Sequence, residues 1–128
     1  MRNKIFKAAF LLGITVTIFS CYKEYPPITN PFKPEEVSFN THVVPILADK
    51  CATSECHDGT KHPDLRPENA YRELTMGGYY NTTFPGQSKI YKAIVEGVGG
   101  LEMPPDGPLS QLDKDLILAW IDKGAPND

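Results

Sequence analysis

The sequence predicts an all-α fold of short helices. Three observations carry that expectation. Apolar residues recur at helical spacing in four separate segments. Each segment opens on a residue that caps helices, closes on glycine, or does both. No run alternates apolar with polar as a half-buried strand does, and no internal repeat is present. Proline and glycine, 12 and 10 of the 128 residues, fall between the segments and separate them.

The beginning of the chain reads as an address. Arg2, Lys4 and Lys7 form a basic start, residues 8–19 are mostly apolar, and Ser20-Cys21 follows. This is the layout of an export signal. Its Ile18-Phe19-Ser20-Cys21 end resembles a bacterial lipoprotein box. That resemblance implies that residues 1–21 are a lipoprotein signal peptide and that Cys21 carries the lipid. The protein would then be exported and held on a bacterial membrane, at the periplasmic face or the cell surface. An ordinary signal peptide cut elsewhere and an uncleaved membrane helix are the alternatives.

Residues 22–37 hold Pro26, Pro27, Pro31 and Pro34 and read as a semi-extended tether. Residues 38–128 are the expected domain. All sixteen Asp and Glu follow Cys21, against ten of the thirteen Lys and Arg, a net of −6 for the exported part. That balance argues against nucleic acid as a partner and permits basic protein partners.

The first helix is expected over residues 39–50, capped by Ser38 or Asn40, with Phe39, Val43 and Leu47 along one stripe. Pro45 should kink it or open a second short helix. Residues 58–67 are loop. A second helix is expected over 67–75, with Ala70, Tyr71 and Leu74 inward and Gly77-Gly78 at its end. Ser88 can cap a third, with Ile90, Tyr91, Ile94 and Val95 at helical spacing and Gly97 as its stop. Residues 99–108 are a glycine- and proline-rich loop. The last helix has Ser110 as cap and Asp113 in the capping-box position. Its apolar face is Leu112, Leu116, Ile117, Trp120 and Ile121, and Gly124 ends it.

The first helix leads into Cys51-Ala52-Thr53-Ser54-Glu55-Cys56-His57. Two cysteines with a histidine directly after the second form the arrangement that attaches haem covalently. Each thiol can add to a vinyl group, and the histidine then faces the iron. The usual spacing is C-x-x-C-H; here it is C-x-x-x-x-C-H, so residues 52–55 must bulge for both sulfurs to reach. The alternative in an oxidising compartment is a Cys51–Cys56 disulfide. Met103 sits in a loop, not on a helix stripe, and Pro104 and Pro105 stiffen the backbone behind it, as holding a thioether against iron requires. A domain of about 90 residues buries a limited core, and a haem would add an apolar plate to it.

In order, these parts resemble a class I cytochrome c, and most closely the small cytochrome c domains in lipoproteins of planctomycetes and bacteroidetes. The matching stretches are Phe39, Val43-Val44-Pro45-Ile46-Leu47, Gly86-Gln87-Ser88-Lys89-Ile90-Tyr91-Lys92-Ala93-Ile94, Met103-Pro104-Pro105 and Trp120-Ile121-Asp122-Lys123-Gly124-Ala125. The resemblance implies a cytochrome c fold packed around one covalent haem c. Cys51 and Cys56 would be the thioether positions, His57 the proximal ligand and Met103 the distal one. Pro63 and Leu65 match the loop that holds the second ring nitrogen of the proximal histidine. Phe39 and Trp120 would meet where the first and last helices cross; a bond from the Trp120 indole to a haem propionate is the lesser reading. His42 and His62 are the other candidates for distal ligand.

The function implied is single-electron transfer to and from redox partner proteins, with both axial positions filled and no enzymatic activity. Two other functions stay open on the sequence. One is a haem module with an open iron site for small ligands. The other is a disulfide-stapled exported interaction domain without cofactor.

Overall fold

The computed structural model describes residues 31–128. The readings on the export signal, on Cys21 and on most of the tether lie outside the described residues. Among these residues there are four α-helices and no strand: α1 (Val44–Lys50), α2 (Ala70–Met76), α3 (Lys89–Val95) and α4 (Gln111–Asp122). Short 3-10 turns at Pro34–Glu36 and Pro85–Gln87 and a π-helical turn at Phe39–Val43 complete the regular structure. None of the helices described is long and apolar enough to cross a membrane.

Pro45 divides the first helical segment in two. It falls in the first turn of α1, where a missing N–H costs nothing. The residues before it wind more widely, and the Val44 N–H reaches back to the Phe39 carbonyl. Ser38 is the cap, and its Oγ accepts from the Thr41 N–H at 3.3 Å. Asn40 does not cap; its N–H donates to the Asp128 carbonyl at 2.8 Å.

The second helix starts three residues later than its sequence pattern suggests. Asp64 is the reason. Its carboxylate accepts from Arg66 Nε at 2.9 Å and from Asn69 Nδ2 at 2.7 Å, which folds residues 64–69 as a turn around it. The Arg66 guanidinium also holds the Asp64 carboxyl far below the ordinary carboxylate range.

Ser88 stands at the N-cap position of α3 but does not cap it. Its Oγ instead accepts from the Asn81 N–H at 2.9 Å, which fastens the preceding irregular segment to the helix start. Val95, expected on the inner face of α3, is half exposed at 50%. Ile90, Tyr91 and Ile94 already fill that face.

The hub is α4. The π-helical turn, both 3-10 turns and α3 all pack on it. Its second half is therefore covered on every side: Ile117, Leu118, Ala119, Trp120 and Ile121 are all buried. Leu112, in its first turn, lies outside that contact zone and is 56% exposed, contrary to its sequence position. Ser110 Oγ accepts from the Asp113 N–H at 3.1 Å and donates to the Asp113 carboxylate at 2.8 Å. At the other end Gly124 adopts φ 106, open only to glycine at low cost. This lets the Gly124 and Ala125 N–H groups satisfy the Ile121 and Trp120 carbonyls.

Phe39 and Trp120 meet at 4.8 Å between ring centroids, with Tyr71 and Tyr80 edge-on to them at 5.3 and 5.4 Å. The Trp120 indole N–H donates to the Pro126 carbonyl at 2.9 Å, so it is spent on the chain that follows α4. The final residues of the segment read as tether already belong to the core: Val37 is buried and Phe32 packs against it.

Candidate functional site

A cavity of about 680 Å³ opens beside the core, within the ~300–1,000 Å³ range of clefts that take small molecules and cofactors. Its walls come from every part of the domain: Leu47 of α1, Leu74 of α2, Ile90 and Ile94 of α3, and Ile117 of α4. The sequence pattern marks these side chains as core. They are core on one side and cavity wall on the other, which periodicity alone does not distinguish. Cys51, Cys56, His57, Pro63, Leu65 and Met103 all line this one cavity.

The two cysteines are free thiols, half-buried at the cavity edge. α1 stops at Lys50, so the segment from Cys51 on is not bound to helical geometry. The Cys56 N–H donates to the Thr53 carbonyl at 3.0 Å and the His57 N–H to the Cys51 carbonyl at 3.1 Å. These two bonds fold the extra residues into a compact turn. Ser54 and Glu55 are at its exposed tip, with Glu55 at φ 66. The four residues between the cysteines are therefore folded into a turn and not extended. Burial, with Cys56 close by, pushes the Cys51 thiol up to about 11, so at neutral pH it is a protonated thiol.

His57 is fixed by its neighbours. Its carbonyl accepts from the Leu65 N–H at 2.8 Å. Its Nδ1 lies 2.9 Å from the Pro63 carbonyl oxygen. A carbonyl can only accept, so Nδ1 carries the proton and Nε2 keeps its lone pair. That is the tautomer a metal-binding imidazole needs, with the ring orientation set by backbone.

Met103 arrives from the opposite part of the chain, after α3. Gly97 makes that route possible. It adopts φ 79, and a Cβ there would stand 2.6 Å from the Leu101 carbonyl oxygen. The chain can thus turn back on itself, with the Val98 N–H donating to the Leu101 carbonyl at 2.7 Å. Met103 is half-buried against the cavity, and the Met103–Pro104 bond is cis, as is His62–Pro63. Met76, the other methionine of the domain, is 81% exposed and outside the cavity.

His42 is also outside the cavity, with its Nδ1 accepting from the Ser38 N–H at 3.0 Å. His62 is at the cavity edge, but its Nδ1 faces Glu73 at 3.4 Å. Trp120 does not line the cavity.

The donor set, two thiols, one imidazole and one thioether around an apolar space, fits a haem held by two thioethers with histidine and methionine as axial ligands. It does not form a cage for a bare ion. Among the described residues no group of three or more His, Cys, Asp or Glu could hold one.

Sequence reasoning missed the lysines. Lys50, Lys61, Lys89 and Lys92 line the cavity, against the single carboxylate Asp106. Lysines on short helices and loops read as solvated charge, and nothing in their spacing shows that four of them share one opening.

Comparison with protein-family models, with curated proteins and with solved structures finds no match for this chain.

Proposed function

We propose that this domain is a monohaem c-type electron carrier. The observation that carries the proposal is the convergence of Cys51, Cys56, His57 and Met103 on one apolar cavity from segments almost fifty residues apart. Cys51 and Cys56 would hold the cofactor as thioethers, and His57 and Met103 would be the axial ligands. Bound haem supplies a one-electron ferrous/ferric couple, and a methionine ligand raises its potential relative to two histidines.

The rest is the work of the chain. The Pro63 carbonyl keeps the His57 proton on Nδ1 and the ring in one orientation. Leu47, Leu74, Ile90 and Ile94 line the cavity with apolar surface, on which the haem plane would pack in place of water. With His57 and Met103 both bound, the iron would have no position left for a substrate, which supports a carrier over an enzyme acting at iron. With Cys21 lipidated, such a carrier would work at a bacterial membrane surface.

The test is co-expression with a c-type cytochrome maturation system. The expected product is coloured, and its haem stays with the chain through denaturation and acid-acetone extraction. Mass spectrometry of peptides containing Cys51 and Cys56 then counts the thioethers. A colourless protein with a Cys51–Cys56 disulfide overturns the proposal in favour of a stapled interaction domain.

A further inference from the structure

The carbonyl that orients His57 belongs to a loop, and it is only as well placed as that loop. The stretch from Pro63 to Leu65 gives His57 two backbone anchors. The Pro63 oxygen lies 2.9 Å from Nδ1, and the Leu65 N–H donates to the His57 carbonyl at 2.8 Å. Asp64 stands between these two anchors. It does not line the cavity, yet it is buried.

Its carboxylate is held on both oxygens. Oδ1 accepts from the Arg66 N–H at 3.2 Å and from Arg66 Nε at 2.9 Å. Oδ2 accepts from Arg66 Nη2 at 2.6 Å and from Asn69 Nδ2 at 2.7 Å. A guanidinium that meets both oxygens fixes the direction of the carboxylate as well as its charge. Asn69 directly precedes α2, whose Ala70 and Leu74 are in the core. The carboxylate therefore ties the two anchors of His57 to the start of a packed helix.

The chain leaving His57 meets the same pair from the other end. Gly59 follows the histidine by two residues, and a Cβ there would stand 3.0 Å from Arg66 Nη2 and 3.6 Å from Asp64 Oδ2. The ion pair thus sits between the histidine's own segment and α2.

We infer that Asp64 is a positioning residue for His57: clamped by Arg66 and Asn69, its carboxylate sets the Pro63 carbonyl against Nδ1 and so tunes the imidazole as an iron ligand. The inference rests on the electron-carrier reading. A firm bond from Nδ1–H to the carbonyl makes the ring a stronger donor, which favours ferric iron. Loosening that bond favours ferrous iron and raises the potential.

The test compares Asp64→Asn, Arg66→Gln and Asn69→Ala with the unaltered protein, each purified after maturation. Redox titration is one measurement, and exchange of the His57 Nδ1 proton with water, followed by NMR in the ferrous state, is the other. All three substitutions should raise the ferrous-to-ferric ratio at a fixed applied potential about 2- to 10-fold. All three should also speed the proton exchange.

Action through charge alone has a different pattern. Removing Asp64 would raise the potential, removing Arg66 would lower it, and Asn69→Ala would leave it where it is. That pattern overturns the inference. So do variants with lowered denaturation midpoints but an unchanged potential and exchange rate, in which the clamp serves the fold only. Asn69→Ala removes a single neutral bond and decides the matter if the two charge variants do not fold.

A sample without haem counts against the carrier reading alone. Nitrogen-15 NMR of His57 at pH ~8.5, where the ring is neutral, then reads the clamp directly. The unaltered protein should show the Nδ1–H tautomer and the variants should gain the Nε2–H form; a tautomer unchanged in all three overturns the inference.

Discussion

At the scale of single residues, two positions decide what the site can do. His57 is prepared by its backbone. The Pro63 carbonyl fixes which nitrogen is free, and no side chain has to move to present it. Met103 depends on its loop. If the domain carries haem as proposed, Met103→Ala should leave it attached, because the cysteines and His57 are untouched, but lower the potential and open the iron. Redox titration and binding of carbon monoxide to the ferrous form are the measurements; an unchanged potential would mean that another group is the distal ligand. The residue types at these positions were legible in the sequence, and so was the company of Pro104 and Pro105, which line the same cavity. Lys61, Lys89 and Lys92 were not, because a rim is assembled by the fold from residues that are not neighbours along the chain.

At the scale of elements, the helices were legible where caps and glycines stand at their ends, as in α4 with Ser110 and Gly124. Reading failed where a side chain serves tertiary structure instead of its own helix. Ser88 looks like a cap and is a loop fastener. Asp64 looks like an ordinary loop acid and delays α2. Val95 and Leu112 have helical spacing but find no partner element. The turn after α3 offers a direct check on how the methionine loop is positioned. Gly97→Ala combines a positive φ with a Cβ that meets the Leu101 carbonyl oxygen. A cost of about 1–3 kcal/mol is expected in chemical denaturation. The Met103 environment should change with it, read from the sulfur-to-iron charge-transfer absorption of the haem-loaded protein. A Gly97→Ala variant with wild-type stability and spectrum would show that the turn is not what places Met103.

At the scale of the whole molecule, acidic side chains tie distant parts together. Asp128 Oδ1 accepts from the Phe39 N–H at 2.8 Å, and its other oxygen meets Lys123 at 2.5 Å. Lys123 also donates to the Val37 carbonyl at 2.9 Å. The carboxyls of Asp64 and Asp128 are both held below their ordinary value by hydrogen bonds from Arg66 and Lys123 respectively. A depressed carboxyl stabilises the folded state fully above its unfolded pKa of about 4 and loses that contribution as pH falls below it. The domain should therefore lose stability as pH falls from about 4 downward. Asp64→Asn and Asp128→Asn should each flatten that acid limb while lowering stability at neutral pH. Denaturation midpoints followed across the acid range check this; an unaltered acid limb in both variants would place the titration elsewhere.

The joining of Phe39 to Trp120 and of Asn40 to Asp128 has a consequence in time. Contacts that span most of the domain form late, since the loop between them must close first. The first segment cannot bury Phe39 until α4 has arrived, and α4 is the last of the described helices along the chain. Until then Leu47 has no finished core to enter, and Cys51 and Cys56 stay on open chain. The order of synthesis thus leaves an interval in which the two thiols are more open than in the finished fold, where both are half-buried.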